Sequence, residues 1–142
     1  MKIEIPIEII ELESESYHLL ISCRVNGSHE GDLVIDTGAS KTVLDRNFVP
    51  AYEASENQIS EIKSRGLGEG SLNTEMVKID SFQLGDLLVN DFHCALIDLA
   101  GINEMYVEHC HREICGLLGS DFLLKHRGII DYGRQILKLE FF

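Results

Sequence analysis

A chain of 142 residues that is 44% hydrophobic can bury one core, and this length favours a single domain covering residues 1–142. A formal charge of −12 makes nucleic acid and anionic membrane surfaces poor partners, because both would repel the protein. We therefore expect no nucleic acid and no membrane among its partners.

The amino-terminal segment predicts a strand. Isoleucines at alternate positions from 3 to 9 form one apolar face, and Pro6 favours an edge position. Glu4 and Glu8 interrupt the run, so it lacks the apolar stretch of an export signal, and no segment approaches the roughly 20 residues of a membrane span. The four scattered cysteines fit reduced thiols. We expect a cytoplasmic protein.

The next segments predict further strands. Residues 17–25 and 30–36 are typical of strands, and Asn26-Gly27 between them is a hairpin signal. Residues 40–49 have weaker helical or irregular character, and residues 51–64 predict a loop or short helix that ends at Gly66.

The second half continues in the same way. Residues 71–98 predict short strands that turn at "LGD" and "VND", and residues 99–114 are the least strand-like segment and favour a short helix. Residues 121–126 predict a short helix, followed by two strands around "DYGRQ". Many short strands with close turns predict an all-β fold with a closed barrel.

One apolar strand ends in a carboxylate. Leu33-Val34-Ile35 leads directly into Asp36-Thr37-Gly38, although a buried carboxylate is costly unless it is hydrogen-bonded or used. One interpretation is a turn in which the Asp side chain accepts from a backbone amide two residues later. The other is a catalytic carboxylate held in a rigid loop, as in enzymes whose two carboxylates share a proton.

Four segments occur in an order that resembles the retropepsin-like aspartic proteases, which include retroviral, DNA-damage-inducible-protein and bacterial gag-polyprotein types. "LVIDTGASKTVL" resembles their active-site loop, and residues 64–87 resemble the flap hairpin with its following strands. "CALID" resembles the strand that returns to the core. Residues 114–139 resemble the hydrophobic-hydrophobic-Gly segment, the short C-terminal helix and the closing strands.

The resemblance implies a closed retropepsin-like barrel and an aspartic endopeptidase acting on polypeptides. Because the sequence contains one Asp-Thr-Gly, it also implies a homodimer with one Asp36 from each subunit. It implies no cofactor and no metal. The residues it assigns are the catalytic Asp36, the supporting Thr37, Gly38, Ala39, Ser40, Leu118 and Gly119, and the flap residues Gly66, Leu67, Gly68, Glu69 and Gly70.

Other interpretations stay open at this stage. The fold could serve as a catalytically inactive binding or scaffold domain, with Asp36 as a turn residue. Asp121 is the rival second carboxylate, although its position favours the first turn of a helix. The residues that could form a zinc site are His93, Cys94, His109, Cys110, His111 and Cys115, but their spacing is unlike that of paired zinc ligands. Cys110 beside two histidines is a weak candidate for a nucleophile.

Overall fold

The computed structural model describes residues 1–55 and 74–141, and strands dominate it. In chain order the elements are β1 (Lys2–Pro6), β2 (Glu8–Glu13), β3 (Ser16–Val25), β4 (His29–Ile35), β5 (Val43–Asp45), β6 (Glu53–Ala54), β7 (Glu75–Leu84), β8 (Leu87–Ile97), α1 (Ala100–Cys110), β9 (Gly116–Leu118), α2 (Ser120–Lys125), β10 (Ile129–Asp131) and β11 (Ile136–Glu140). In this part of the chain, neither helix is long and apolar enough to span a membrane.

Six strands close into a barrel in the order β3, β4, β9, β5, β8 and β7. The ring closes because β7 pairs with β3 as well as with β8, through Arg24 opposite Gln83 and Val25 opposite Phe82. Two of the six pairings, β4 with β9 and β5 with β8, are parallel. The closed barrel and the short C-terminal helix confirm the predicted fold class.

The tight hairpin between β3 and β4 forms where the sequence predicted it. Asn26 and Gly27 both adopt left-handed backbone conformations, with φ of 51° and 80°. Two consecutive residues with positive φ match the right-handed twist of the strands they join, which is why Asn-Gly is favoured there.

The last three residues of β4 are buried on both faces of the strand. Leu33 and Ile35 point into the barrel, whereas Val34 lies in a second apolar cluster outside it with Leu20 and with Tyr106 of α1. A strand covered on both sides needs a continuous apolar run, which explains why Leu33-Val34-Ile35 shows no alternation.

A separate three-stranded sheet joins the two ends of the chain. Its order is β1, β11, β10, with Ile3 opposite Leu139 and Pro6 opposite Ile136. Pro6 lies at the end of an edge strand, as predicted. The predicted amino-terminal strand is interrupted after it, because Ile7 donates its amide hydrogen to Gln135 and β2 then turns to pair with β3.

Two sequence-based assignments are corrected. The segment predicted to be helical or irregular, residues 40–49, contains β5, whose three buried residues are too few to show a periodic pattern. The turn predicted at "VND" is absent, because β8 runs unbroken from Leu87 to Ile97 and takes a positive φ of 53° at Asp91. The least strand-like segment does form a helix, α1.

Candidate active site

Asp36 stands where β4 ends and the chain turns. Its backbone amide donates to the carbonyl oxygen of Leu118 at 2.9 Å, and its carbonyl accepts from the amide of Ala39 at 3.1 Å. The carboxylate oxygen Oδ1 accepts from the amide of Gly38 at 3.0 Å. The side chain is only partly buried, so the carboxylate is oriented by the loop and still faces outward.

A second segment, β9 and the turn into α2, lies against this loop. Ser120 donates its amide hydrogen to the carbonyl of Ala39 at 2.8 Å. Gly119 approaches so closely that a Cβ there would lie 2.7 Å from the carbonyl oxygen of Lys41 and 2.9 Å from that of Ala39. Only glycine fits at this contact, because no real Cβ tolerates backbone atoms at such distances.

Thr42 and Asp121 connect the two segments through their side chains. The hydroxyl of Thr42 donates to Oδ1 of Asp121 at 2.9 Å and accepts from the amide of Gly119 at 3.1 Å. The same Asp121 oxygen accepts from the amide of Phe122 at 2.8 Å. Asp121 therefore lies in the first turn of α2, as predicted. Thr42 is not among the residues predicted from the sequence, because its only local signal is a polar residue before a short apolar run.

The residues assigned by resemblance divide into three groups. The structure brings Asp36, Ala39, Leu118 and Gly119 into one hydrogen-bonded or closely packed unit. Thr37, Gly38 and Ser40 are exposed residues of the Asp36 loop, and of these Gly38 donates its amide hydrogen to the Asp36 carboxylate. The flap residues lie outside the described residues; they are Gly66, Leu67, Gly68, Glu69 and Gly70.

Helix α1 covers the outer face of the barrel near Asp36. The buried hydroxyl of Tyr106 pairs with Nδ1 of His18 at 2.9 Å. Burial, together with the charges of Cys110 and Asp36, raises the pKa of Tyr106 to about 12, so the phenol stays neutral. Asn103 anchors the helix by bonding both the amide and the carbonyl of Ile114, close to the start of β9.

The cysteines and histidines do not form a reactive centre in the described ranges, and no three His, Cys, Asp or Glu side chains there converge as metal ligands. Burial, with the charge of Asp121, raises the pKa of Cys94 to about 12. The sulfur of Cys115 lies 3.4 Å from that of Cys23, and this contact together with burial raises the pKa of Cys115. Buried protonated thiols are poor nucleophiles and poor metal ligands.

Sequence comparison identifies a family. A family model described as aspartyl protease matches residues 21–122, which is well over half of the chain and includes both segments of the candidate site. No curated protein matches the sequence.

Solved structures show the same fold. A retropepsin-like aspartic protease from Rickettsia conorii superposes with a TM-score of 0.55 and 17% identity, over 98% of this chain and 89% of that one. The retroviral protease-like domain of Ddi1 from Leishmania major gives a TM-score of 0.52 and 17% identity, over 88% of this chain and 90% of that one. At this identity the likeness concerns the fold.

Proposed function

Since the chain belongs to the aspartyl protease family, we propose that it is an aspartic endopeptidase in which Asp36 activates the water that attacks a peptide bond. The observation that carries the proposal is the position of Asp36. Its backbone is fixed by Leu118 and Ala39, while its carboxylate remains partly exposed. A group used for proton transfer needs this combination of fixed position and access to substrate.

The proposed enzyme is a symmetric homodimer. One Asp-Thr-Gly in the sequence supplies one carboxylate, whereas the chemistry needs two, so each subunit contributes its Asp36 at the two-fold axis. Two carboxylates at hydrogen-bonding distance resist being ionised together, and one of them carries a proton.

The proposed reaction divides the work between these two groups. The ionised carboxylate takes a proton from water as the water oxygen attacks the carbonyl carbon, and the protonated one donates to the carbonyl oxygen. The tetrahedral intermediate then breaks its C–N bond: one of its two hydroxyls gives its proton to the ionised carboxylate as the C=O bond re-forms, and the leaving nitrogen takes the proton of the other carboxylate. The dyad again holds one proton. The amide of Gly38 holds one oxygen of each carboxylate in a fixed orientation during these transfers.

The remaining site residues support substrate binding in this proposal. Thr37 stabilises the loop across the dimer, Ser40 and the backbone of Gly38 and Ala39 line the floor, and Leu118 with Gly119 supports it from below. We also assign substrate binding to the flap residues that the resemblance implies, which lie outside the described residues: Gly66, Leu67, Gly68, Glu69 and Gly70. The peptide binds in extended form and adds backbone hydrogen bonds like those of a strand.

Charge and composition suggest the substrate class and compartment. With a formal charge of −12, the protein favours neutral or basic segments of polypeptide over acidic ones. The four cysteines are free thiols, which supports the cytoplasm as the compartment. We further propose that residues 1–142 make one domain and that neither cofactor nor metal takes part.

The alternative is a scaffold domain that keeps the fold without catalysis. The contact between Oδ1 of Asp36 and the amide of Gly38 is the specific observation in its favour, because an ordinary Asp turn makes the same bond.

Cleavage of a mixed peptide library from acid to neutral pH distinguishes the two functions. We expect the native protein to cleave as a dimer and Asp36→Asn to be inactive. Asp86→Asn is the matched control, because it removes an exposed carboxylate in the β7–β8 turn. A native protein that is monomeric and cleaves nothing, or an Asp36→Asn variant as active as the native protein, would contradict the protease proposal.

A further inference from the structure

Thr42 joins the two segments of the candidate site from a fully buried position, with 0% of its surface exposed. Its hydroxyl is both donor and acceptor to the opposite segment, toward Asp121 and from Gly119. Its own backbone is fixed as well, because its carbonyl accepts from the amide of Ala95 in β8 at 3.0 Å. A hydroxyl that both donates and accepts a hydrogen bond, on a residue whose backbone is also fixed, has one orientation.

Asp121 gives this hydroxyl its direction. One oxygen of its carboxylate accepts from the Thr42 hydroxyl and from the amide of Phe122, which places the carboxylate in the first turn of α2. The ring of Phe122 is buried against Phe82 and Phe92, with ring centroids 5.8 and 6.1 Å away. Asp121 is therefore fixed by the barrel core and not by the exposed loop.

The bonds of this junction lead to Asp36 through two neighbours of Gly119. Leu118, immediately before Gly119, accepts the amide hydrogen of Asp36, and Ser120, immediately after it, donates to the carbonyl of Ala39. Any displacement of Gly119 moves both contacts. The position of Asp36 thus depends on a glycine whose amide is held by the Thr42 hydroxyl.

We propose that Thr42 and Asp121 are positioning residues for Asp36, a role that rests on the protease function proposed above. The chain of contacts from Asp121 through Thr42 to Gly119 fixes the carbonyl that holds the Asp36 backbone. Asp121, the rival second carboxylate of the sequence, acts as a hydrogen-bond acceptor and does not touch the substrate. In a homodimer each error in position occurs twice, and a misplacement of about 1 Å can lower a rate by about 100-fold.

Paired variants test this role by steady-state kinetics on a peptide selected from the library. Thr42→Val keeps the shape and removes the hydroxyl, whereas Thr42→Ser keeps the hydroxyl. We expect Thr42→Val to lower kcat about 10- to 100-fold with KM changed less than about threefold, because the substrate contacts remain while the carboxylate shifts. Thr42→Ser should restore kcat to within about threefold of the native value.

A second pair covers the case in which Thr42→Val fails to fold. Asp121→Asn retains an oxygen that accepts from Thr42 and Phe122, and Asp121→Leu has a similar volume without an acceptor. We expect kcat to be retained in Asp121→Asn and lowered in Asp121→Leu. Equal kcat in Asp121→Asn and Asp121→Leu, or in Thr42→Val and Thr42→Ser, would overturn the proposal.

Amide hydrogen exchange gives a readout that needs no activity. In Thr42→Val the amides of Asp36 and Gly119 should exchange faster, while those of Ile79 and Phe92, paired between β7 and β8, should not change. Unchanged exchange at Asp36 overturns the positioning role by itself. Cleavage by the native protein that does not depend on Asp36 overturns the protease function instead, so the two failures are distinct.

Discussion

Two short strands of this barrel end in an aspartate, and the two carboxylates have different surroundings. Asp36 follows β4 and Asp45 ends β5, each after an apolar run. Oδ1 of Asp45 accepts from the amide and the side chain of Asn47 and from the buried amide of Leu99, all at 3.0–3.1 Å.

The two aspartates also differ in how much of their surface is exposed to solvent. Asp45 is 5% exposed, and its bonds tie the turn after β5 to the start of α1. The carboxylate of Asp36 accepts from the Gly38 amide and stays partly exposed. An apolar strand that leads into Asp is therefore ambiguous in the sequence, and the bonds made by the carboxylate distinguish a buried structural group from an accessible one.

The largest expected effect comes from Asp36→Asn. Because the amide cannot take a proton from water, kcat/KM for a cleaved peptide should fall by about 1,000-fold or more. The melting temperature should change little, since Asn still accepts from the Gly38 amide. Calorimetry beside the kinetic assay checks both, and a melting temperature that falls as far as in Asp45→Ala would remove the contrast between the two sites.

Gly119→Ala should affect stability and activity together. The added Cβ would lie 2.7 Å from the carbonyl of Lys41, and the backbone must shift to relieve the contact. We expect a loss of about 2–4 kcal/mol in the free energy of unfolding, together with reduced kcat. Gly133→Ala is the control, because its Cβ would meet its first neighbour at 3.5 Å. Denaturant unfolding that is equal for both glycine variants would contradict the close approach.

Asp45→Ala should lower the free energy of unfolding without changing the rate of catalysis. It leaves the buried amide of Leu99 without its acceptor, which costs about 1–3 kcal/mol. Asp45→Asn keeps an accepting oxygen and should lose less. Urea unfolding measures both, while kcat per folded molecule should stay near the native value. A drop in kcat as large as that of Asp36→Asn would mean that both carboxylates serve catalysis.

The smallest expected effect is an acid dependence of stability centred on His126. Burial lowers the pKa of His126 below its ordinary value of 6.5, Lys125 acts in the same direction, and the carbonyl of Glu140 opposes both. Below pH 6.5 the unfolded chain binds this proton more readily than the folded one, so stability falls until the folded-state pKa is passed.

His126→Gln should weaken that dependence, which unfolding measurements between pH 7 and pH 5 would show. This variant therefore distinguishes unfolding in acid from a loss of activity caused by protonation of the proposed dyad. An unchanged pH dependence of stability in His126→Gln would assign the acid sensitivity to other groups.

Much of the fold was predictable from local patterns. The Asn26-Gly27 hairpin, the C-terminal helix and the closing strands follow from turn chemistry and short-range alternation. β5 was missed because three buried residues carry no period, and the "VND" turn was wrong because the pairing of β7 with β8 overrides local turn preference.

The candidate site was predictable in part. The motif around Asp36 and the Leu118-Gly119 pair led to the family through their resemblance to known motifs, and the family match includes both. A functional role for Thr42 was not predictable from the sequence, because its partners Gly119 and Asp121 lie 77 and 79 residues away in the chain.

Periodicity and short motifs in the sequence are enough to predict the strand-rich fold, the family and the carboxylate to test. Only the folded structure shows which carboxylate is buried and bonded, which glycines have no room for a side chain, and how Thr42 and Asp121 reach the Asp36 loop. Those properties depend on contacts between residues far apart in the chain, and no local pattern encodes them.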